Sequence, residues 1–202
     1  MSKCALALAS ILVSVAPAAA GVLGRPLADA HMPAPASLMH EARAQATPLG
    51  YLSFCSTYSS QCTSAGAHER VQLTPDVWKT IRQVNAEIND RITPDAGKGA
   101  YSWSLDTTSG NCNDYAVQKR KALIDRGLPA AALSLSVVLT RRGVGHLVLT
   151  VRTDRGDYVL DNLRHAIVAW DHTGYRFNRV QSIDDPQAWV LPQAGHPRQR
   201  AL

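Results

Sequence analysis

The sequence predicts an α+β domain, and three observations predict it. The chain has 202 residues, 46% hydrophobic and 18% charged, which suits one domain with a real core and excludes a wholly disordered protein. Two segments, 76–92 and 112–126, carry apolar residues at helical spacing. After them, 133–139, 146–152 and 157–161 read as strands, the last two joined by a tight turn. Helices followed by a run of strands is the α+β pattern. Four cysteines are too few for a miniprotein built on disulfides. No internal repeat is evident.

The N-terminus reads as an address. Residues 1–20 have a positive start at Lys3, an apolar run from Cys4 to Val15 and then small residues. Ala18 and Ala20 sit at the spacing read by signal peptidase, with a second candidate pair at Ala28 and Ala30. The run is too short and too rich in Ala and Ser for a span of about 20 residues; a retained N-terminal anchor is the alternative. Cys4 comes too early to be a lipoprotein cysteine. The expectation is a periplasmic or secreted protein. Residues 21–48 hold Pro26, Pro33, Pro35 and Pro48 without an apolar period, which predicts a flexible leader. The folded domain is then expected over 49–191, with an irregular tail over 192–202.

The first helix opens at Thr74-Pro75-Asp76 and places Val77, Ile81, Val84 and Ile88 on one face, with Trp78 beside it. These read as core. Asn85 and Asn89 share another side and read as solvated surface. The second helix follows Ser109-Gly110-Asn111, which is turn chemistry, with Asn111 a good N-cap. Tyr115, Ala116, Ala122 and Leu123 fall near one stripe, Gly127 suits the C′ position, and Pro129 blocks continuation. Cys112 then lies in the first turn. There the free N–H groups and the positive dipole end favour a thiolate and could hold an oxyanion.

Beyond the leader the cysteines are Cys55, Cys62 and Cys112. They allow three single pairings, each leaving one thiol over. Cys55 and Cys62 are close in sequence and are the preferred bridge in an exported protein; two separate buried thiols are the alternative. That pairing leaves Cys112 for chemistry.

A nucleophilic thiol needs a base, and the base an orienting group. The register of the hairpin supplies both. With Thr153 and Asp154 as the loop pair, opposed residue numbers add to 307, and His146 faces Asp161. A register adding to 309 makes them diagonal neighbours on the same face. Either way the carboxylate can fix the imidazole tautomer, and the other ring nitrogen can serve Cys112. A structural His–Asp pair at a hairpin end is the alternative.

The remaining features bear less on chemistry. Segments 166–170 and 175–181 read as a second hairpin around Asp171-His172-Thr173-Gly174. His165, Asp171 and His172 match no strong zinc spacing. Lys119-Arg120-Lys121 and Arg141-Arg142 lack interleaved aromatics, so they read as a solvated face that can steer acidic partners, and nucleic acid is not an expected partner. Trp103 reads first as core packing, then as a cleft wall or an indole donor to an oxyanion.

Gly110-Asn111-Cys112-Asn113-Asp114-Tyr115-Ala116, with Lys119-Arg120 and Leu123, then Gly145-His146 and Leu160-Asp161-Asn162, resembles the bacterial transglutaminase-like cysteine proteinase family. Phe54-Cys55 with Cys62, Trp103, Trp170 and the stretch from Asp185-Pro186 to Trp189 resemble it too. The resemblance implies a papain/transglutaminase-like core, in which a cysteine-bearing helix packs on an antiparallel sheet. It implies Cys112 as nucleophile, His146 as general base and acid, and Asp161 as orienting group. It further implies a protein substrate, with a cell-surface adhesin as the known example in the family, and an inner-membrane regulatory receptor. The resemblance includes one relative whose acidic residues on both sides of its cysteine bind calcium. Here the flanks are Asn111 and Asn113, followed by Asp114, and amides bring no charge; the expectation is that no cofactor is required, with calcium at these three residues as the alternative.

The expected function is therefore an exported cysteine peptidase with a Cys-His-Asp triad. A transglutaminase or amidase using the same triad, and a non-catalytic exported binding module of the same fold, are the competing readings.

Overall fold

The structure, a computed structural model, describes residues 32–63 and 69–194. The expected signal peptide lies outside these residues. In chain order the elements are β1 (Met39–Gln45), α1 (Leu49–Thr57), α2 (Pro75–Arg91), β2 (Thr93–Pro94), β3 (Ser109–Gly110), α3 (Cys112–Asp125), β4 (Leu133–Leu139), β5 (Gly145–Thr153), β6 (Gly156–Leu160), β7 (Val168–Ala169), β8 (Arg176–Gln181) and β9 (Trp189–Ala194), with short 3-10 turns between some of them. The architecture is α+β, as the sequence predicts.

Seven strands form one antiparallel sheet in the order β1-β9-β8-β4-β5-β6-β7. The helices cover one face. Leu147, Leu149 and Val151 of β5 point into a core shared with Ile81, Val84 and Ile88 of α2 and Ala116, Val117 and Leu123 of α3. The alternate residue Val148 joins Met39, Val138, Val159, Trp170, Phe177 and Val180 in a second, smaller core on the other face. The sheet curls around that second core. Its two ends meet where the Met39 N–H donates to Asp157 Oδ2 at 2.6 Å and the Arg152 guanidinium bonds Glu41 Oε1 at 2.7 Å.

α2 starts as its sequence dictates. Thr74 Oγ accepts from the Val77 N–H at 3.2 Å and Pro75 fills the first helical position. α3 ends as expected too: Gly127 takes φ +88°, which an L side chain resists, and its N–H and that of Leu128 return to the carbonyls of Ile124 and Leu123. The helix itself is not one-sided. Every residue from Asn113 to Arg120 is buried, because α3 lies between α2 and β5. The second half is thus no solvated face. Arg120 donates to the carbonyls of Leu133 and Gln61, and Lys119 is buried beside the Tyr115 ring. Only Lys121 of that trio is partly exposed, paired with Asp125.

Three boundaries differ from the expectation. The ordered chain begins before residue 49, since Met39–Gln45 pairs antiparallel with β9, and β9 itself runs on to Ala194. β1 escapes a hydrophobic-period reading because Met39 is its only fully buried residue. Backbone pairing and the Glu41 ion pair hold it, as suits an edge strand. Second, β7 and β8 are not a hairpin. β7 pairs β6 at one sheet edge, whereas β8 lies between β4 and β9. Trp170, packed edge-on against Phe177 at 5.4 Å, marks where the chain crosses inside the curl. Third, the β5–β6 register is the one adding to 309: Leu149 opposes Leu160 and Arg152 opposes Asp157, so Asp154 and Arg155 form the turn.

Candidate active site

α3 begins at the floor of a cleft of about 840 Å³ lined by Cys112, His146, Trp103, Leu49, Tyr101 and Val144 among others. The start of α3 is built from its own sequence. Asn111 Oδ1 accepts from the Asn113 N–H at 3.1 Å, and Asp114 reaches back to the Asn111 N–H at 2.9 Å, closing a capping box. Gly110 is required here, since a Cβ at that position would lie 2.2 Å from Asp114 Oδ2. Cys112 is the free cysteine among the described residues, partly exposed to the cleft. Cys55 and Cys62 are joined in a disulfide.

The loop before α3 is stapled to its first turn. Asn111 Nδ2 donates to the Lys98 carbonyl and Asn113 Nδ2 to the Ala100 carbonyl, each at 3.0 Å. Asp114, fully buried, accepts from Lys98 Nζ at 2.6 Å and from the Ser104 N–H at 2.8 Å on the same oxygen. Trp103 packs under Gly50, Tyr51 and Phe54 and forms the cleft wall. Its indole N–H donates to the Ala100 carbonyl at 3.1 Å. It is therefore a wall and packing residue, and its N–H is not free for an oxyanion.

His146 is the second residue of β5, and Asp161 follows β6 directly. His146 Nε2 and Asp161 Oδ1 are 2.8 Å apart, both residues buried. Three further groups fix the carboxylate, and a fourth holds its backbone. The Tyr175 hydroxyl donates to Oδ2 at 2.6 Å, the Leu163 N–H to Oδ1 at 3.0 Å, and Arg164 Nε lies 3.5 Å from Oδ2. Asn89 Nδ2 holds the Asp161 backbone carbonyl at 3.0 Å. The Tyr175 ring also stands edge-on to the imidazole at 5.7 Å.

The electrostatics follow. Burial pushes the His146 pKa down, but hydrogen bonds to Asp161 and Cys112 and the charges of both outweigh it and raise it to about 9. Burial pushes Asp161 up, but His146, Tyr175 and the Leu163 N–H lower it to about 2. The imidazole is thus held by Asp161 through Nε2 and is influenced by the nearby Cys112, whose sulfur also lies 4.0 Å from Asn113 Oδ1.

Sequence reasoning missed the support around this pair. Asn85 and Asn89 are not solvated surface: Asn85 is 2% exposed and donates to the His165 carbonyl, and Asn89 steadies Asp161. Their spacing of one helical turn was the available signal. Tyr175 gave none, since it reaches Asp161 only because the chain crosses over after β7. Among the described residues, His165, Asp171 and His172 form no metal-binding group.

A helix-start cysteine that shares a cleft with a histidine held by a buried aspartate, on a curled antiparallel sheet, is the arrangement of a transglutaminase-like fold. The chain belongs to the bacterial transglutaminase-like cysteine proteinase family (BTLCP), whose model matches residues 41–196. It is a cysteine-type peptidase by that membership. Among solved structures it is similar to LapG of Legionella pneumophila, at 16% identity, 72% of this chain, 81% of that chain and a TM-score of 0.50. The calcium-bound form of LapG aligns at 17% identity over 76% of this chain and 86% of that one, with a TM-score of 0.49. At such identities the likeness concerns the fold. No curated protein matches the sequence significantly.

Proposed function

We propose that the protein is an exported cysteine peptidase that cleaves a protein of the cell envelope or surface, with Cys112 as nucleophile, His146 as general base and acid, and Asp161 as the group that orients the ring. The observation that carries this reading is the buried His146–Asp161 pair at 2.8 Å sharing one cleft with Cys112.

The chemistry runs through these groups alone. His146 takes the thiol proton, and the sulfur attacks a peptide carbonyl carbon. The cap holds the N–H groups of Asn113 and Asp114 on Asn111, which leaves the Cys112 N–H to receive the oxyanion. The imidazolium protonates the amine as the C–N bond breaks. Water then gives a proton to His146 and attacks the thioester, and the acid product leaves as the proton returns to sulfur. Asp161 stabilises the imidazolium throughout.

LapG has a calcium-bound form; in this chain the candidate donors are already engaged. Asn111 Oδ1 caps the helix, and its amide N–H and that of Asn113 face carbonyl oxygens. An ammonium, Lys98, already neutralises Asp114. With Asn111 and Asp114 so engaged, Asn111, Asn113 and Asp114 are proposed to hold no calcium ion, and the peptidase is proposed to need no cofactor.

Export is supported by the sequence of residues 1–20 and by the Cys55–Cys62 disulfide, which persists in oxidising compartments. A surface adhesin is the substrate class to examine first, and an inner-membrane receptor the kind of regulator. The test compares envelope proteins from cells producing the wild type or Cys112→Ala, by mapping new N-termini. The expected result is a small set of cleavages that requires Cys112. Identical maps would overturn the reading, and incorporation of a primary amine probe in place of cleavage would identify an amine transferase.

A further inference from the structure

A second concavity of about 520 Å³ adjoins the cleft, sharing Val144 as a common wall. Its other main residues are Arg141, Arg142, Leu163, Arg164 and Tyr175. Three guanidinium groups thus face one groove, and no carboxylate lines it. Asp161 sits behind it, bonded to His146 and Tyr175 and 3.5 Å from Arg164 Nε, so Arg164 is partly neutralised while Arg141 and Arg142 are not.

The groove is built rather than incidental. Arg164 lies over the Tyr175 ring at 5.0 Å and donates to the Thr173 carbonyl at 3.2 Å. Arg141 packs so closely over Gly174 that a Cβ there would meet its guanidinium at 2.5 Å. Arg141 and Arg142 are both exposed, and neither has a salt bridge among the described residues. The apolar surface has the same focus. Six large hydrophobic side chains are exposed among the described residues; Leu49, Tyr101 and Val144 line the cleft, and Val144 and Leu163 line the groove. Exposed apolar area beside unpaired charge is the mark of a binding surface.

Resting on the peptidase reading, we propose that this groove selects substrates carrying a run of acidic residues next to an apolar segment. The acidic run lies across Arg141, Arg142 and Arg164. The apolar segment enters the cleft past Val144 and presents its peptide bond to Cys112. Charge complementarity at a rim acts chiefly on encounter and specificity and weakens with salt.

The test measures binding apart from chemistry. Fluorescent peptides with an Ala/Leu segment and four Glu on one side or the other, and the same peptides with Gln, are titrated into the Cys112→Ala protein. The expected result is at least tenfold tighter binding of one Glu peptide at low salt, with the advantage lost at high salt. Arg141→Glu with Arg142→Glu abolishes the preference, and Arg141→Gln with Arg142→Gln reduces it while thermal melts show the fold intact. Equal binding of Glu and Gln peptides, or a preference that survives charge reversal, overturns the proposal. So does equally tight binding of a single-stranded oligonucleotide or of phosphatidylglycerol vesicles, lost in the same variants, which makes the patch a general anion surface. Cleavage of unfolded casein by the wild type is scored separately. Cleavage without a Glu preference sinks the groove assignment alone, and a Glu preference without cleavage of any protein sinks the peptidase reading alone.

Discussion

Asp161→Asn is the perturbation whose consequence can be worked furthest. The carboxylate bonds His146 Nε2 through Oδ1 while also accepting from the Leu163 N–H, and it accepts from Tyr175 through Oδ2. An amide cannot reproduce that pattern. With its NH₂ toward the ring it meets the Leu163 N–H, and with its oxygen toward the ring it meets Arg164 Nε. The first orientation also donates to Nε2 and forces the proton onto the nitrogen that must accept from Cys112. The carboxylate helps lift the His146 pKa from 6.5 to about 9, a displacement of about 3 kcal/mol at about 1.4 kcal/mol per unit. Losing the carboxylate's share slows kcat by about 10²-fold. The assay is kcat against pH with one cleaved peptide. The proposed mechanism predicts an alkaline limb near 9 for the wild type, from His146, and one at least one unit lower for the variant. Stability carries the same signature. A raised imidazole pKa contributes fully below its unfolded value of about 6.5 and is lost as pH rises through about 9. The variant's melting temperature therefore falls less between those values. An unchanged limb with unchanged kcat would refute the reasoning.

Further outcomes follow from the neighbours of the site. Asn89→Ala removes the bond to the Asp161 carbonyl and lowers kcat about tenfold at a stability cost of about 1 kcal/mol; Tyr175→Phe acts through Asp161 in the same direction, and both are checked by kinetics and thermal melts. Gly110→Ala drives a methyl against the Asp114 carboxylate and destabilises by about 2 kcal/mol, read by urea denaturation. Adding a calcium chelator leaves peptidase activity unchanged, whereas Lys98→Met strands the buried Asp114 charge and costs about 3 kcal/mol in the same denaturation experiment.

How much of this could be read from sequence depends on how local each cause is. The start and end of α3 were legible, because Asn111, Asp114 and Gly127 act on groups within four residues. The His146–Asp161 pairing was legible to within the two registers consistent with the turn, since parity puts both on one face in either case. The structure takes the register with the longer offset, in which Asp161 stands just beyond the strand. Lys119 and Arg120 read from sequence as solvated, because charge normally marks a surface. They are buried because α3 is covered on several sides, a property of the assembled layers that no window of the helix contains. Asn89 and Tyr175 likewise gain their roles from contacts across 72 and 14 residues. β1 has too few buried side chains to show a period and depends on its partner β9.

The proposed chemistry requires sulfur and imidazole to work as a unit. Alkylation of the native protein by iodoacetamide at pH 7, followed by mass spectrometry at Cys112, tests that most directly. The wild type should react at least tenfold faster than His146→Ala, with the Cys55–Cys62 pair unmodified in both. Equal rates in the two proteins would contradict it.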